Sequence, residues 1–366
     1  MDAARQITEP DSIPVDAGRA EAFAGRMVDI LNGASLALMT SIGHRTGLFD
    51  TMAVMAPAGS AAIAARAGLD ERYVREWLGA MVTGAVVEHD PVAGTYRLPA
   101  AHAACLTRAA TPDNIAAFTQ YVGILGGVED AVVDCFRTGG GVPYSAYHRF
   151  HEVMAEDSGQ TVLPALVDRI LPLVPGLVAR LEAGIEVLDV GCGRGRAMNL
   201  LARAFPRSRF LGYDLSEEAI CAARAEARAQ GSRNVLFLQR DLTDFDEPAQ
   251  FDLVTAFDAI HDQARPDAVL AGIHRALRPG GTFLMQDIAA SSHLHHNLDH
   301  PIGPFLYTIS TMHCMTVSLA QGGAGLGTAW GRELAQQMLA EAGFTAVRIH
   351  NLAYDIQNDY YVAAKD

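Results

Sequence analysis

The stretch VLDVGCGRG at residues 187–195 decides the fold of this chain. An apolar strand ends in an acid, and three alternating glycines then lead into a predicted helix from Ala197 to about Phe205. Because glycine has no Cβ and accepts a positive φ, a ligand can lie against bare backbone in such a loop. Loops at the carboxyl ends of parallel strands are where open α/β sheets bind nucleotide-like cofactors. The stretch therefore predicts an α/β fold with a cofactor site.

The spacing of the glycines separates two kinds of cofactor. A dinucleotide loop reads G-x-G-x-x-G and places phosphates at a helix N-terminus. Here glycine occupies every second position after Asp189, whose carboxylate would repel a pyrophosphate but suits the cationic methionine end of S-adenosylmethionine. A second predicted strand, residues 209–214, ends in Asp214, where a carboxylate can accept hydrogen bonds from ribose hydroxyls. The pattern favours S-adenosylmethionine.

Further motifs follow in order along residues 180–366. RDL at 240–242 follows a third strand, FDLV at 251–254 opens a fourth, and ALRPGG at 276–281 precedes a fifth. Together with the glycine loop, they closely resemble the motifs of class I S-adenosylmethionine-dependent methyltransferases. The resemblance implies a Rossmann-like domain with a mostly parallel seven-stranded sheet and an antiparallel final strand pair. The expected strands are at about 185–190, 209–214, 235–240, 251–256, 281–287, 345–351 and 356–363.

The same resemblance implies which residues bind the cofactor. Asp189 and the glycine loop would hold its methionine end, Asp214 the ribose and Asp241 with Leu242 the edge of the adenine, while Phe257 would close the site near the sulfonium. The full set of expected cofactor-binding residues is Asp189, Gly191, Cys192, Gly193, Gly195, Asp214, Leu215, Asp241, Leu242 and Phe257.

Composition excludes several classes of protein. With 366 residues, half of them hydrophobic, the chain can form two domains with substantial cores. No apolar run reaches the roughly 18 residues of a membrane span, and the polar first residues are unlike a signal peptide. The net charge of −14 argues against a nucleic-acid partner. Lys365 is the only lysine, which excludes a P-loop lysine, and five scattered cysteines fit reduced thiols in the cytoplasm.

Residues 60–108 are predicted to form a helix, a turn, a second helix capped by Asp70 and a short hairpin, which is a winged-helix pattern. Winged helices often bind DNA, but this stretch has five arginines and five acids, so its local charge is zero. Asp70 and Glu71 would also face phosphates unfavourably at the start of the recognition helix. The stretch resembles the dimerisation module of plant-type and hydroxyindole O-methyltransferases, and we favour that role.

The predicted organisation has four parts. A flexible tail at 1–18 precedes a mostly helical winged-helix dimerisation domain at 19–110, a helical connector and substrate cap at 111–180, and the Rossmann-like methyltransferase domain at 181–366. Apolar residues at helical spacing in 20–55 are expected to be buried between two subunits.

The stretch AFDAIHDQ at 256–263, after the fourth predicted strand, carries the expected catalytic residues. It resembles the His-Asp-Trp segment of plant-type O-methyltransferases, and this resemblance assigns His261 as general base, with Asp262 beside it. An imidazole can remove a hydroxyl or thiol proton near neutral pH. Two departures are visible, because Gln263 replaces the tryptophan and the flanking acid of plant enzymes aligns near Ala329. The orienting carboxylate could come from Asp262 or from elsewhere, and the acceptor atom stays open between oxygen, sulfur and nitrogen.

Residues 288–327 are an insertion rich in histidine, glycine and apolar residues. Its histidines lack the spacing of a zinc finger, so no metal is predicted. We expect it to supply a pocket wall and a glycine-rich lid. Candidate substrate contacts in the connector and the insertion are Tyr121, Tyr147, His151, His300, Met312 and His313.

The sequence thus predicts a cytoplasmic, homodimeric methyltransferase that acts on a small molecule with S-adenosylmethionine as cofactor, without a membrane or nucleic-acid partner. The alternative is a winged-helix transcriptional regulator that senses S-adenosylmethionine without catalysis. Methylation of protein or RNA is disfavoured by the negative charge and by the expected lid.

Overall fold

The computed structural model describes residues 15–366. The predicted tail at 1–18 lies mostly outside the described residues, and its last two residues already belong to the first helix. Packing divides the chain into two units, of which the first ends at His102 and the second begins at Ala103. Along the described residues, no helix combines the length and the apolar character that a bilayer crossing requires.

The first unit is a helical winged-helix unit. The bounds of its elements are α1 (Ala17–Thr46), α2 (Leu48–Ala53), α3 (Ser60–Ala67), α4 (Glu71–Thr83), β1 (Glu88–Asp90) and β2 (Thr95–Arg97). Asp70 caps α4 by accepting the backbone N–H groups of Arg72 and Tyr73, as its position predicted. The antiparallel pair β1–β2 forms the wing.

Trp77 of α4 holds the core of this unit together. Its indole packs edge to face on Phe49, with ring centroids 5.3 Å apart, and its N–H donates to the carbonyl of Met39 over 2.8 Å. A Cβ on Gly43 would come within 2.6 Å of the Trp77 ring, so only glycine lets α1 approach α4 this closely.

The second unit begins with a helical region, in which α5 (Ala100–Leu106) crosses the boundary. The helices that follow are α6 (Gln120–Gly126), α7 (Glu129–Thr138), α8 (Phe150–Thr161) and α9 (Leu177–Ala183). A π-helical turn at Leu166–Ile170 separates α8 from α9.

The centre of the second unit is a seven-stranded sheet. Its strands are β3 (Glu186–Val190), β4 (Arg209–Asp214), β5 (Val235–Gln239), β6 (Phe251–Phe257), β7 (Leu277–Ile288), β8 (Val347–Asn351) and β9 (Asn358–Ala364), in the order β5-β4-β3-β6-β7-β9-β8. The first five are parallel, whereas β9 runs antiparallel to both β7 and β8. The predicted Rossmann-like fold with an antiparallel final pair is confirmed.

Helices cover both faces of this sheet, so most side chains of its central strands are apolar and buried. Leu253 and Val254 of β6 point to opposite faces, and both are fully buried. The remaining helices are α10 (Arg196–Ala204), α11 (Glu217–Gln230), α12 (Pro266–Ala276), α13 (Gly303–Ile309), α14 (Met315–Ala320) and α15 (Gly331–Glu341). A π-helical turn at Ser310–Cys314 joins α13 to α14, so most of the insertion is helical.

Candidate active site

The glycine loop joins β3 to α10 at the carboxyl edge of the sheet. All three of its glycines have positive φ, with values of 70°, 52° and 67° at Gly191, Gly193 and Gly195. A Cβ on Gly191 would meet Ala259 at 2.5 Å and one on Gly195 would meet Phe237 at 2.5 Å, whereas a Cβ on Gly193 would project into open space. The outer glycines therefore pack the loop against the protein, and the middle one leaves the backbone open to a ligand.

Two carboxylates flank this loop. Asp189 is buried and accepts a hydrogen bond of 2.7 Å from the hydroxyl of Thr255, and its burial raises its pKa to about 7. Asp214 accepts the backbone N–H groups of Gly193 and Ser216, each at 2.8 Å. Burial raises the pKa of Asp214, although these two N–H groups oppose the rise. Both acids are fixed at the open face of the loop before any ligand arrives.

The other predicted cofactor residues differ in how far their side chains are buried. Leu215 has half of its side chain exposed, next to Asp214, while the side chain of Leu242 is buried in the core, which leaves only its backbone for a ligand. Asp241 accepts the N–H of Thr243 at 2.9 Å, and this hydrogen bonding lowers its pKa. Cys192 and Phe257 are both partly buried.

His261 is buried just after the end of β6, and its partner is an acid that the sequence analysis did not identify. Its Nδ1 lies 2.8 Å from Oδ1 of Asp287, the penultimate residue of β7. The same oxygen accepts the indole N–H of Trp330 at 3.0 Å and the backbone N–H of Ile288 at 2.8 Å. Asp262, which was predicted as a possible orienting acid, lies 3.3 Å from the other nitrogen, Nε2. The carboxylate that orients His261 is therefore Asp287.

The charge of His261 is set by these neighbours. Burial by itself lowers the pKa of His261, but the carboxylates of Asp287 and Asp262 outweigh it and raise the pKa well above its ordinary value. Cys314 lies beside the ring, and burial raises the pKa of its thiol to about 12, so it stays neutral.

The imidazole lines a narrow cavity at the carboxyl edge of the sheet. Its polar lining includes Asp157, Asp258, His261, Asp262, His313 and Cys314, and its apolar wall comes from α8 and α13. A concave site with a few converging polar groups on an apolar wall is typical of small-molecule binding.

His313 contributes an uncharged ring to this cavity. The ring stacks on Phe150 at 3.6 Å between centroids and meets the edges of Tyr144 and Tyr147. Neither ring nitrogen has a hydrogen-bond partner among the described residues. Burial lowers the pKa of His313 to about 4, so it offers an acceptor nitrogen at neutral pH.

The structure brings only part of the predicted substrate set to the cavity. Tyr121 and His313 line it. Tyr147 instead donates its hydroxyl to the carbonyl of Met312 at 2.5 Å, which ties the connector to the insertion. His151 stacks on Tyr144, and His300 bonds the carbonyl of Ala289 at 3.1 Å, so neither of these histidines lines the cavity.

Three acids of the site were missed by sequence analysis, namely Asp157, Asp258 and Asp287. Only Asp287 could have been found from the sequence, because it ends a predicted strand in the same way as Asp189 and Asp214 do.

Among the described residues, two groups could offer three ligand atoms to a metal. They are His261 with Asp262 and Cys314, and His261 with Asp258 and Asp287. Both groups use His261, and an imidazole that ligates a metal through its cavity-facing nitrogen cannot also accept a proton there.

Comparison with known proteins agrees with this architecture. Residues 34–108 match the Rv2258c-like winged HTH domain, and residues 181–350 match a methyltransferase domain family. The chain is 37% identical to the fatty-acid O-methyltransferase of Mycolicibacterium smegmatis over 105 residues. These residues are 28% of this chain and 37% of that protein. The chain spans less than half the length of this relative and of seven further methyltransferases that it matches.

Solved structures share the fold over nearly the whole chain. An O-methyltransferase family protein from Burkholderia thailandensis superposes with a TM-score of 0.68 at 15% identity, covering 94% of this chain and 98% of that one. Human N-acetylserotonin methyltransferase, solved with S-adenosylmethionine, superposes with a TM-score of 0.65 at 18% identity. The superposition covers 97% of this chain and 99% of that one.

The matches identify residues 181–350 as a methyltransferase domain, and the sheet order is the fold on which it is built. A segment that matches the Rv2258c-like winged HTH domain precedes it in the chain.

Proposed function

We propose that this protein is an S-adenosylmethionine-dependent methyltransferase that methylates an oxygen of a small molecule, with His261 as general base. The observation that carries the proposal is the contact between His261 and Asp287 at the wall of the cavity. Oxygen is the acceptor atom we favour, because several relatives and structural neighbours are named as O-methyltransferases. A screen of phenols and alcohols against thiols and amines, scored by release of S-adenosylhomocysteine, tests it.

The residues of the glycine loop fit S-adenosylmethionine, which supplies an electrophilic methyl group on a sulfonium when it is bound. Gly193 leaves open space beside the backbone, and Asp214 keeps lone pairs for ribose hydroxyls beyond those that its two N–H donors use. Asp189, buried with a raised pKa, gains a counterion when a cationic group binds next to the loop.

His261 is held for proton removal by its hydrogen bonds. When Nδ1–H donates to Asp287, the lone pair of the neutral ring is on Nε2, the nitrogen nearest Asp262. Trp330 and Ile288 fix the Asp287 carboxylate, so the ring cannot turn freely. A hydroxyl bound beside Nε2 loses its proton to that nitrogen, and Asp287 stabilises the imidazolium that forms.

The pH dependence of the reaction should report this arrangement. A general base works only after it has lost its own proton, so a raised pKa at His261 moves the rise in kcat/KM to the alkaline side of neutrality. Replacing Asp287 with asparagine removes the charge that raises this pKa. We therefore expect kcat/KM of the Asp287→Asn variant to rise at lower pH than that of the native protein. Its plateau rate should also be lower. Steady-state rates across the neutral to alkaline range measure both effects, and a profile that does not move would contradict the assignment of Asp287.

We further propose that the winged-helix unit mediates dimerisation rather than DNA binding. The arginines of α4 pair with acids on the same helix, Arg72 with Glu76 and Arg75 with Glu71. These pairs leave little net positive charge for phosphates. In contrast, α1 exposes a run of large apolar side chains that include Phe23, Met27, Val28, Ile30, Leu31, Leu38 and Ile42. Exposed apolar patches of this kind mark association surfaces.

Light scattering should therefore give twice the 39.0 kDa mass of the chain. A charge in the patch, as in Leu31→Asp, where the leucine is 66% exposed, should shift the mass towards that of a monomer. Val92→Asp is the matched control, because Val92 is 97% exposed in the wing and outside the patch. A Leu31→Asp variant that stays dimeric would show that α1 is not the interface.

A further inference from the structure

The cavity beside His261 is lined by more carboxyl groups than it has basic residues to pair with them. Asp157 from α8 and Asp258 and Asp262 from the segment after β6 all line it, and Asp287 lies directly behind His261. No arginine or lysine is found among the described residues that form its wall. His261 can neutralise one carboxylate, whereas His313 is uncharged. A buried carboxylate without a basic partner is costly to ionise, so a cationic group bound beside these acids would favour their ionised form.

Asp157 and Asp258 are the two acids that remain for such a group. Asp157 is only 7% exposed, and its Oδ2 accepts the hydroxyl of Tyr121 at 2.9 Å. Asp258 has a buried Oδ1 that accepts no hydrogen bond from the described residues and lies 3.9 Å from Nδ1 of His261, a nitrogen that already bonds Asp287. Burial raises the pKa of Asp157 to about 7 and that of Asp258 to about 8, and the carboxylate of Asp157 contributes to the rise at Asp258. Without a ligand, the protein therefore holds this pair only partly ionised.

The backbone at Asp258 supports a functional position. Its φ is 55°, a left-handed conformation that is uncommon for a residue other than glycine. The N–H of Asp258 donates to the carbonyl of Gln286 at 2.9 Å, which fixes the turn at the end of β6. Such strained residues persist where the surrounding structure holds them, often at binding sites.

We propose that the methyl acceptor carries a positively charged nitrogen besides the oxygen that is methylated, and that Asp157 and Asp258 bind this nitrogen. The inference rests on the proposed function, since it names the substrate class of the same site. The aromatic and aliphatic wall, which includes Phe150, Phe305 and Ile309, contacts the carbon skeleton between the two polar ends. His313, whose ring nitrogens make no hydrogen bond to the described residues, can accept a further hydrogen bond from the same molecule.

The position of the pair distinguishes the acceptor from the cofactor as the source of positive charge. Neither the three loop glycines nor Asp214 lines this cavity. The loop has its own buried acid in Asp189, and Asp157 belongs to α8, which precedes the Rossmann-like sheet in the chain. The pair is therefore assigned to the acceptor.

Matched phenols that differ in one charge test this assignment. Tyramine and 4-ethylphenol share a ring and a two-carbon chain, but only tyramine carries an ammonium. We expect kcat/KM to be about tenfold to a hundredfold higher for tyramine, the range that hydrogen bonds to charged groups produce. Binding of both compounds to the S-adenosylhomocysteine complex, measured by calorimetry, should show the same preference without any turnover.

Asparagine variants locate the preference within the cavity. Asp157→Asn and Asp258→Asn should each reduce the ratio of kcat/KM for tyramine to kcat/KM for 4-ethylphenol. The double variant should bring this ratio near one. Asp134→Asn is the matched control, because Asp134 is a surface acid on α7 that pairs with Arg137. Thermal unfolding checks that each variant is folded.

The remaining outcomes separate this inference from the proposed function. If phenols are methylated and the native protein shows no preference for tyramine in rate or in binding, the inference is wrong and the methyltransferase assignment stands. If the variants weaken S-adenosylmethionine binding and leave the ratio unchanged, the pair serves the cofactor and the inference is also overturned. If neither phenol is methylated, the calorimetric preference still decides the inference, and it is the proposed function that fails.

Discussion

Replacing His261 with asparagine should lower kcat by about 10²–10⁴, the usual contribution of a positioned general base. The variant keeps a polar side chain next to Asp287 but has no group that can take up the acceptor's proton. The affinity for S-adenosylmethionine should change little, because His261 lies apart from the glycine loop and Asp214 in the chain and bonds neither of them. Release of S-adenosylhomocysteine measures the rate, and calorimetry measures the affinity.

Comparing a phenol with a thiol acceptor separates proton removal from positioning. Thiols are partly ionised near neutral pH, so their methylation should depend less on the base. His89→Asn is the matched control, since His89 is an exposed residue in the wing. Equal losses on both acceptors would point to an orienting role for His261, and no loss on either would remove it from the mechanism. Activity that disappears with EDTA and returns with a divalent metal would reassign His261 as a metal ligand.

Replacing Asp214 with alanine should weaken S-adenosylmethionine binding by about 2–4 kcal/mol, the range for losing charge-assisted hydrogen bonds at a buried site. The change removes the expected acceptor for the ribose hydroxyls. It also frees the N–H groups of Gly193 and Ser216, so the glycine loop loses one of its supports. Calorimetry with S-adenosylmethionine and S-adenosylhomocysteine measures the loss, which should be similar for both because they share the ribose.

Two further variants make this result interpretable. Asp214→Asn retains one acceptor oxygen and should bind more tightly than the alanine variant. Asp246→Ala removes an exposed acid that pairs with Arg275 at the surface, and its affinity should match that of the native protein. Unchanged affinity in a folded Asp214→Ala variant would mean that the ribose is bound elsewhere.

Local sequence determined the sheet and the cofactor loop of this protein. Each parallel strand is a short apolar run, and the glycine spacing of the loop reflects backbone conformations that side chains would block at Gly191 and Gly195. The helix capped by Asp70 also follows from neighbouring residues, whereas the antiparallel final strands were implied by the resemblance that the ordered motifs carry. These features depend on interactions over a few residues or on one repeated strand pattern, so they can be read along the chain.

Only the tertiary structure decided what surrounds His261. The acid that orients it, Asp287, is 26 positions away in sequence. It becomes a neighbour because β6 and β7 lie side by side in parallel and end at the same edge. The alignment placed a flanking acid near Ala329, but the next residue, Trp330, donates a hydrogen bond to Asp287 instead.

The negative charge of the cavity has the same origin. Asp157 and Asp258 come from a helix before the sheet and from a turn within it, about 100 residues apart in the chain. Asp157 belongs to none of the motifs, and Asp258 lies in the stretch at 256–263 without a role assigned from sequence. The raised pKa values of both acids come from burial, which no local pattern encodes. Burial and proximity are properties of the packed chain, so the chemistry of the acceptor site becomes visible only once the helices of the connector and the insertion lie against the carboxyl edge of the sheet.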